Sequence, residues 1–325
     1  MNNNKRQVFF NSDGRGITLL SVAVHSLLKS NAPGHPLAIF IAHDRSFAET
    51  GCIERIRSIV DRFPDAKVTF LDYAPVQAEC GELFKPLLWA FPLCDRLLPA
   101  DVTGQIVYID IDMMVRKDLG ELFDLDLASH GYVAAAVNES RREHRRYLVE
   151  AGWPDSAGYS FNNATTVLDL DAFRRERMSD KMADWYRQHF KTAVNLDQDA
   201  QNVVYGDRTL RLPPKWNYTD GWLERLLKQN PFAREWRVFP PKDVLEAILD
   251  PCIVHYIGRH KPTAWTHRPE RKAYRRMMDE LGLLENGRLP GETAVRRLVA
   301  GAFDVYHVLL KAYARLLLTI RFRDR

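Results

Sequence analysis

Short apolar runs alternate with longer amphipathic segments over the first half of the chain. Runs of β-branched and aromatic residues bounded by turn residues predict strands, at Gln7–Phe10, Leu37–Ala42, Val68–Leu71, Ile106–Ile109 and Tyr132–Val137. Apolar residues at helical spacing predict the intervening helices, at Ile17–Ser30, at Ser46–Phe63 and, less regularly because of two prolines, between Phe84 and Leu98. This alternation predicts an α/β fold with a mostly parallel sheet and helices on both faces.

The second half of the chain continues the pattern and then becomes rich in loops. A segment that begins with amides at Phe161 runs into a strand, and a helix is predicted over Asp171–Gln188. A short helix is predicted from Asp197 to Tyr205, and a late strand over Cys252–Tyr256.

Polar residues follow several of the predicted strands. Asp13, His43–Asp44, Asp72, Asp110 and Asp112 all come just after a strand, and open α/β sheets bind their ligands beyond the carboxyl ends of the strands. Asp110 and Asp112 form a D-x-D pair, whose carboxylates can converge on one hard cation. The alternative is an ordinary strand end with two solvated acids.

Four other polar features each allow two interpretations. Asp13 can receive a base or a ribose hydroxyl, or it can cap the helix that begins at Ile17. The tripeptide Asp197–Asp199 fits the N-cap and first turn of a short helix, and a lone histidine such as His255 is more typical of a core residue than of a ligand. A dense basic run indicates either a solvated helix face or a patch for an anionic acceptor: it comprises Arg141, Arg142, His144, Arg145 and Arg146.

The composition is that of a soluble globular protein. The 325 residues include 46% hydrophobic and 27% charged residues, which suffice for one large α/β domain or two small ones. Four scattered cysteines without C-x-x-C spacing favour reduced thiols in the cytosol over a disulfide framework or a zinc cluster. Because neither a signal-peptide apolar stretch nor a membrane-spanning run occurs, we expect a cytoplasmic protein or one on the inner face of the membrane.

Charge and glycine patterns disfavour several classes of function. The segment Ala294–Arg325 has seven Lys or Arg residues against two Asp, whereas the formal net charge of the whole chain is +4. The rest of the chain is therefore nearly neutral and lacks the excess of positive charge that is typical of nucleic-acid binding. Neither glycine-rich phosphate motif occurs, which disfavours a dinucleotide oxidoreductase and a Walker-type NTPase.

The segment Ala294–Arg325 is predicted to be a separate basic amphipathic helix. Its apolar residues follow helical spacing with the arginines largely off that stripe: they are Leu298, Ala302, Val305, Leu309, Tyr313, Leu316 and Ile320. A basic amphipathic helix is typical of binding to an anionic membrane surface. The alternatives are a helix that packs on the body of the protein or a dimer contact.

Several segments resemble glycosyltransferase family 8, the retaining family that includes lipooligosaccharide galactosyltransferases and glycogenin. They follow one another in the family's order and with similar gaps: Ile106–Asp124, Phe161–Leu170, Leu196–Asn202, Pro214–Tyr218 and His255–Pro262. The resemblance implies a GT-A fold with a Rossmann-like, mostly parallel mixed sheet over residues 1–270, and a helical extension over residues 271–325. It also implies a UDP-hexose donor and a divalent cation, Mn²⁺ or Mg²⁺.

The resemblance further implies roles for individual residues. Asp110, Asp112 and His255 would be the metal ligands, a donor set that suits Mn²⁺ better than Mg²⁺. The residues implied to bind the nucleotide, its diphosphate or its sugar are Asp13, Tyr108, Ile109, Asp110, Ile111, Asp112, Asn162, Gly258 and Lys261. The implied catalytic group comprises Asp197, Gln198 and Asp199, with Gln198 on the β-face of the anomeric carbon.

The chain departs from the family pattern at four places. One of them is Trp265, which follows Lys261–Pro262 two residues later than in the family's K-P-W. The family's FNAG segment reads FNNA here, so Asn163 replaces a small residue beside the sugar. The arginine of the family in the helix before the D-x-D has no counterpart around Trp89, and Asn138 stands where an acid is common.

The chemistry implied is transfer of galactose or glucose, with retention, to a glycan or lipid-linked acceptor such as lipopolysaccharide. Lys261 and the cation would stabilise the departing UDP, and Gln198, a poor nucleophile, favours same-face attack over double displacement. One alternative is a non-catalytic nucleotide-sugar-binding relative, which the missing arginine permits. A remote one is a haloacid-dehalogenase-like phosphatase, although its D-x-D normally lies near the N-terminus.

Overall fold

A computed structural model of the chain describes residues 6–139, 149–150, 160–219, 239–258, 261–264 and 270–321. The basic run at residues 141–146 lies outside the described residues. The chain divides into two compact units: unit 1 comprises Met1–Ile17, Asn31–Ile111 and Leu119–Leu212, and unit 2 comprises Thr18–Ser30, Asp112–Asp118 and Pro213–Arg325. The domain boundary expected at residue 270 stays a prediction.

Unit 1 is built on a seven-stranded mixed sheet. Numbered along the whole chain, its strands are β1 (Arg6–Ser12), β2 (Leu37–His43), β3 (Ala66–Asp72), β4 (Gln105–Ile109), β6 (Ala134–Glu139), β7 (Ser160–Asp169) and β8 (Thr209–Leu212). They lie in the order β3-β2-β1-β4-β7-β6-β8. All neighbours are parallel except β7, which is antiparallel to both β4 and β6. The predicted α/β fold with a mostly parallel sheet is confirmed.

The helices of unit 1 cover the sheet and are shorter than the sequence pattern predicts. They are α2 (Arg45–Glu49), α3 (Cys52–Val60), α4 (Ala74–Cys80), α5 (Cys94–Leu97), α6 (Gly120–Phe123), α7 (Leu170–Arg175), α8 (Met178–His189) and α9 (Leu196–Tyr205). Two predicted long helices are each broken in two. Gly51, with φ 72°, ends the first part of Ser46–Phe63, and Arg177, with φ 54°, interrupts Asp171–Gln188, because a left-handed residue cannot continue a right-handed helix.

The centre of unit 1 is an apolar core in which aromatic rings lie against the sheet. The ring of Tyr108 stacks on Phe91 with centroids 4.1 Å apart, and Phe9 contacts both rings. All three side chains are buried. The middle strands have helices or turns on both faces. Their sequences are therefore continuous apolar runs rather than alternating apolar and polar residues.

The described residues of unit 2 form a small sheet and four helices. The sheet has the order β5-β10-β9, with β5 (Met113–Val115), β9 (Tyr218–Thr219) and β10 (Ile253–His255). The helices are α1 (Ile17–Ser30), α10 (Pro241–Leu249), α11 (Arg271–Glu280) and α12 (Ala294–Arg321). The core includes Tyr256 and Tyr274, whose rings pack edge to face.

Helix α12 packs on unit 2 through one side only. Ala300, Leu310 and Ala314 are buried in the core of the unit. The apolar stripe singled out in the sequence lies on another side, where Leu298 and Leu309 remain 78% and 63% exposed. The helix thus packs through alanines and leucines outside its predicted stripe and leaves that stripe uncovered. No helix among the described residues is both long and apolar enough to cross a membrane.

Candidate functional site

The pairing of β10 with β5 brings His255 beside the second acid of the D-x-D. The two strands are antiparallel with His255 opposite Met113, and Tyr256 N donates to Asp112 O at 3.0 Å. As a result, His255 Nε2 lies 3.3 Å from Asp112 Oδ1. The histidine is buried, with 5% of its surface exposed. The contact joins residues far apart in sequence.

Asn217 fixes the orientation of the His255 ring. Asn217 Oδ1 lies 2.8 Å from His255 Nδ1, and an amide oxygen can only accept a hydrogen bond, so Nδ1 carries the proton. Nε2 faces Asp112, and whenever the ring is neutral its lone pair is on this nitrogen. A hydrogen bond on the second ring nitrogen is the usual support of a metal-binding histidine.

Lys261 also lies against Asp112. Its ammonium group contacts Asp112 Oδ2 and donates to Tyr256 O at 2.9 Å. Burial of the Asp112 carboxyl opposes its ionisation, but the adjacent His255 and Lys261 outweigh burial and hold the pKa of Asp112 well below its usual range. Asp112 is therefore a carboxylate at any physiological pH.

Asp110 is the first acid of the D-x-D and follows β4. Asp110 N donates to Ala164 O at 2.9 Å, and the Tyr108 hydroxyl contacts the Asp110 carboxylate and lies 2.8 Å from Asn11 Oδ1. One ligand atom each of Asp110, Asp112 and His255 lies within 4.8 Å of the others. The three residues expected to bind metal are thus brought together.

The donor set of this cluster fits a divalent cation. Two carboxylates and a neutral imidazole nitrogen are ligands that Mn²⁺ accepts, and the oriented ring offers Nε2 without further rearrangement. When bound there, such a cation would supply Lewis-acid stabilisation of a diphosphate leaving group. The surrounding Asn217 and Tyr108 hold the ligands in place.

A bulge in β7 shapes the part of unit 1 where Asp197 and Gln198 lie. The pairing of β6 with β7 jumps from Ala136↔Thr166 to Val137↔Asn162, so that residues 163–165 are extra on β7. Bulges of this kind re-aim side chains and occur beside active sites. Here the bulge turns the amides of Asn162 and Asn163 toward the start of α9.

The amides of Asn162 and Asn163 contact Gln198 and Asp197. Asn162 Nδ2 lies 3.2 Å and Asn163 N 3.4 Å from Gln198 Oε1, while Asn163 Nδ2 donates to Asp197 Oδ2 at 2.7 Å. Burial, with a further contribution from the charge of Asp110, raises the pKa of Asp197 to about 8, although the Asn163 hydrogen bond acts in the opposite direction. At neutral pH this pKa favours the protonated form of Asp197.

Asp199 has a capping contact in the structure. Its Oδ2 accepts hydrogen bonds from Val194 N at 2.7 Å and Asn195 N at 3.0 Å, and the side chain is buried. Asp199 thus holds the backbone that leads into α9, while the N-cap residue itself is Asn195. A catalytic role of Asp199 stays a prediction.

The remaining predicted contacts lie along strand ends and loops. Asp13 Oδ1 accepts from Gly16 N at 3.0 Å, which confirms the capping interpretation, and Oδ2 pairs with Arg15. Ile109 is fully buried within β4. Ile111 lies beside Gly16, since a Cβ added to that glycine would be 2.6 Å from Ile111 Cδ1. The nucleotide contacts assigned to Asp13, Tyr108, Ile109 and Ile111 stay predictions.

Gly258 follows β10 and has φ 90°. This backbone conformation is open to glycine and strained for other residues. Gly258, which is exposed, therefore stands at a position with a specific need for glycine. A close approach of a ligand to the backbone at this position stays a prediction.

Sequence reasoning assigned no role to Asn217, Asn11 or Gln201. Asn217 orients His255, Asn11 contacts the Tyr108 hydroxyl, and Gln201 Nε2 lies 3.3 Å from Asp197 Oδ2. Asn217 and Gln201 lie in segments that resemble the family, and this resemblance was the only feature of the sequence that could have indicated a role for them. Their partners depend on tertiary pairing.

Comparisons with known proteins agree with this geometry. The model of Glycosyl transferase family 8 matches residues 96–267. General stress protein A of Bacillus subtilis is 30% identical over 181 residues, covering 55% of this chain and 59% of that protein. Lipopolysaccharide 1,2-glucosyltransferase of Escherichia coli is 25% identical over 195 residues, covering 58% of this chain and 54% of that protein. The chain thus spans little more than half the length of these two relatives.

Solved structures extend the likeness to most of the fold. The galactosyltransferase LgtC in complex with donor and acceptor sugar analogs has a TM-score of 0.63 at 19% identity, covering 85% of this chain and 95% of that one. The glycosyltransferase GlyE of Streptococcus pneumoniae has a TM-score of 0.59 at 20% identity, covering 94% and 64%. The predicted GT-A fold is thereby confirmed. With a family model that matches more than half of its length and contains its D-x-D, the chain belongs to Glycosyl transferase family 8.

Proposed function

We propose that the protein is a retaining, metal-dependent hexosyltransferase that transfers galactose or glucose from a UDP-sugar to a glycan acceptor. The observation that carries the proposal is the cluster of Asp110, Asp112 and His255, with Lys261 on Asp112. It combines a carboxylate–imidazole donor set with an adjacent ammonium, and a departing diphosphate requires both kinds of group.

Each group of residues in the site would have its own role in the transfer. Asp110, Asp112 and His255 would hold Mn²⁺ or Mg²⁺, which supplies charge stabilisation for the leaving UDP. Lys261 would exchange its contact with Asp112 for the β-phosphate oxygens. Asn162 and Gln198 would position the hexose, because their amides are already paired at 3.2 Å.

Retention would proceed by same-face attack. Gln198 is an amide and a poor nucleophile, and one oxygen of Asp199 already accepts two backbone N–H groups at the start of α9. Both features favour a reaction in which the acceptor attacks from the side of the leaving phosphate, with an oxocarbenium-like sugar in between. A sugar adduct on Asp199, found by mass spectrometry, would contradict this mechanism.

Donor hydrolysis tests the proposal directly. We expect UDP release from UDP-galactose or UDP-glucose with Mn²⁺, little release with EDTA, and a loss of about 100-fold or more in Asp112→Asn, because a ligand and a partner of Lys261 are lost together. Asp184→Asn, an exposed carboxylate on α8, is the matched control and should retain wild-type rates.

The same assay separates the alternatives. A non-catalytic nucleotide-sugar-binding relative would bind UDP with Mn²⁺ and release nothing from any UDP-hexose. A phosphatase would instead release inorganic phosphate from sugar phosphates. Either result in wild-type protein, with correct folding verified by thermal unfolding, would refute the transferase proposal.

The acceptor proposed is lipopolysaccharide or another cell-surface glycan on a lipid anchor. The printed name of the Escherichia coli relative, Lipopolysaccharide 1,2-glucosyltransferase, supports it. The uncovered stripe of α12 supports it independently, since Leu298, Val305 and Leu316 are exposed on a helix that also carries arginines. A cytoplasmic enzyme that binds the anionic inner surface of the membrane through this stripe would meet such an acceptor there.

A further inference from the structure

Asn163 stands in the β7 bulge beside the two residues expected to meet the donor sugar. Its side-chain amide donates to Asp197 Oδ2 at 2.7 Å, and its backbone N–H lies 3.4 Å from Gln198 Oε1. One residue therefore contacts both members of the pair. The short contact of the amide with Oδ2 restricts the orientation of the Asp197 carboxyl group.

Asp197 is restrained from a second direction as well. Gln201 Nε2 lies 3.3 Å from the same Oδ2 atom, and the Tyr205 hydroxyl donates to Gln201 Oε1 at 2.6 Å. Gln201 and Tyr205 are buried, whereas Asn163 and Asp197 are each partly exposed. Gln201 contacts Asp197 Oδ2 from the buried interior, and Asn163 contacts the same atom from the partly exposed side.

A purely structural tie between β7 and α9 is already present elsewhere. Phe161 N donates to Asn202 Oδ1 at 2.8 Å, and Asn202 Nδ2 donates to Phe161 O at 3.0 Å, both in the buried interior. This reciprocal pair joins strand and helix without Asn163. The partly exposed Asn163–Asp197 contact is therefore available for a task other than holding the fold.

We propose that Asn163 is a positioning residue that aims the Asp197 carboxyl group at a hydroxyl of the donor hexose and so decides which hexose is accepted. The inference rests on the transferase function proposed above. Glucose and galactose differ in the direction of one hydroxyl, and a carboxyl group held in one place can form a hydrogen bond with a hydroxyl in only one of the two directions. A site built to bond a hydroxyl discriminates far better than an apolar pocket.

The test compares two variants of Asn163 that separate positioning from packing. Asn163→Ala removes the amide and its volume, whereas Asn163→Leu removes the amide but keeps a similar volume. If Asn163 positions Asp197, both variants lose about tenfold or more in kcat for the preferred hexose donor, and the preference between UDP-glucose and UDP-galactose shrinks by a similar factor. If Asn163 only fills space, Asn163→Leu is close to wild type, and the inference is wrong.

Thr166→Val is the matched control for disturbance of the bulge. Thr166 Oγ1 donates to Asn163 O at 3.0 Å, so this isosteric change alters the backbone contact and spares the side-chain amide. We expect its donor preference to equal that of wild type. A preference as strongly reduced as in Asn163→Ala would show that any local change has this effect and would overturn the inference.

Binding of UDP alone distinguishes failure of this inference from failure of the proposed function. With Mn²⁺ present, the dissociation constant of UDP should change less than about twofold in both Asn163 variants, because the diphosphate and metal contacts lie elsewhere in the chain. Unchanged turnover and preference in Asn163→Ala would refute the positioning role only. Absence of turnover by wild type with every UDP-hexose would refute the transferase function and this inference with it.

Discussion

The ring of His255 is oriented before any metal arrives. Asn217 Oδ1 accepts from His255 Nδ1 at 2.8 Å, and this leaves Nε2 toward Asp112. The ligand that is hardest to place, an imidazole with two possible tautomers, is thereby restricted to one of them. Much of the metal affinity should therefore depend on a residue that does not touch the metal.

Asn217→Ala should weaken Mn²⁺ binding by about 10- to 100-fold, because the ring loses the partner that sets its tautomer and orientation. Isothermal titration with Mn²⁺ measures this without any turnover. Asn217→Asp is the matched variant, since it keeps an oxygen acceptor for Nδ1–H, and it should bind within a few-fold of wild type. Equal affinity of Asn217→Ala and wild type would contradict the orienting role.

Asp197 makes stability depend on pH near neutrality. Its native pKa of about 8 lies above the value near 4 of an unfolded aspartate, so the native state holds the proton more tightly. The stability that this provides is complete below about pH 4 and is lost as the pH rises toward 8.

In Asp197→Asn the titrating group is absent, so the free energy of unfolding should fall less between pH 6 and pH 8 than in wild type. The difference should reach on the order of 1 kcal/mol per pH unit. Chemical denaturation in EDTA at the two pH values measures it. Asp184→Asn, on the exposed side of α8, should follow wild type, and parallel curves for all three proteins would refute the raised pKa.

At the scale of elements, local backbone conformation explains where the sequence pattern was wrong. The predicted helices Ser46–Phe63 and Asp171–Gln188 have the right periodicity, but Gly51 and Arg177 adopt positive φ and break them. A glycine predicts such a break only weakly, and an arginine gives no signal at all. By contrast, α1 begins and ends where its apolar face predicts.

Glycines in helices offer a test of how each element is packed. Gly301 lies inside α12, and a Cβ there would meet no atom within 4 Å. Gly301→Ala should therefore raise the free energy of unfolding by about 0.5–1 kcal/mol, the difference in helix propensity. Thermal and chemical denaturation measure this change.

Gly16→Ala is the opposite case and serves as a matched comparison. Its Cβ would lie 2.6 Å from Ile111 Cδ1 and from Ser12 Oγ, so the added methyl group should lower the free energy of unfolding by about 1–3 kcal/mol. If both alanine variants changed stability in the same direction, the packing described for one of these glycines would be wrong.

At the scale of the whole molecule, most of the exposed large hydrophobic side chains among the described residues lie on α12. Replacing Leu309 and Leu316, which are 63% and 54% exposed, by serine should weaken binding to vesicles of phosphatidylcholine and phosphatidylglycerol by about tenfold or more, because two leucines no longer enter the apolar region. Vesicle sedimentation measures the effect.

Val194→Ser is the control for that experiment, because Val194 is 55% exposed but lies in unit 1 and outside the stripe. Wild-type binding should weaken as the salt concentration rises, since the arginines around the stripe interact with the anionic lipid. Failure of wild type to bind these vesicles at low salt would refute the membrane proposal and leave the transferase proposal intact.

The sequence by itself determined the kind of fold, most strand positions and the identity of the candidate metal ligands. Strand runs and helical periodicity are local properties of the chain, and the two acids of the D-x-D lie one residue apart, so their proximity needs no folding. Family resemblance added His255 and Lys261. Only the tertiary structure decided that β10 places His255 3.3 Å from Asp112, that Asn217 sets its tautomer, and that a bulge brings Asn163 to Asp197. These contacts join residues 34 to 143 positions apart, and strand pairing and register, which no local pattern encodes, bring them together.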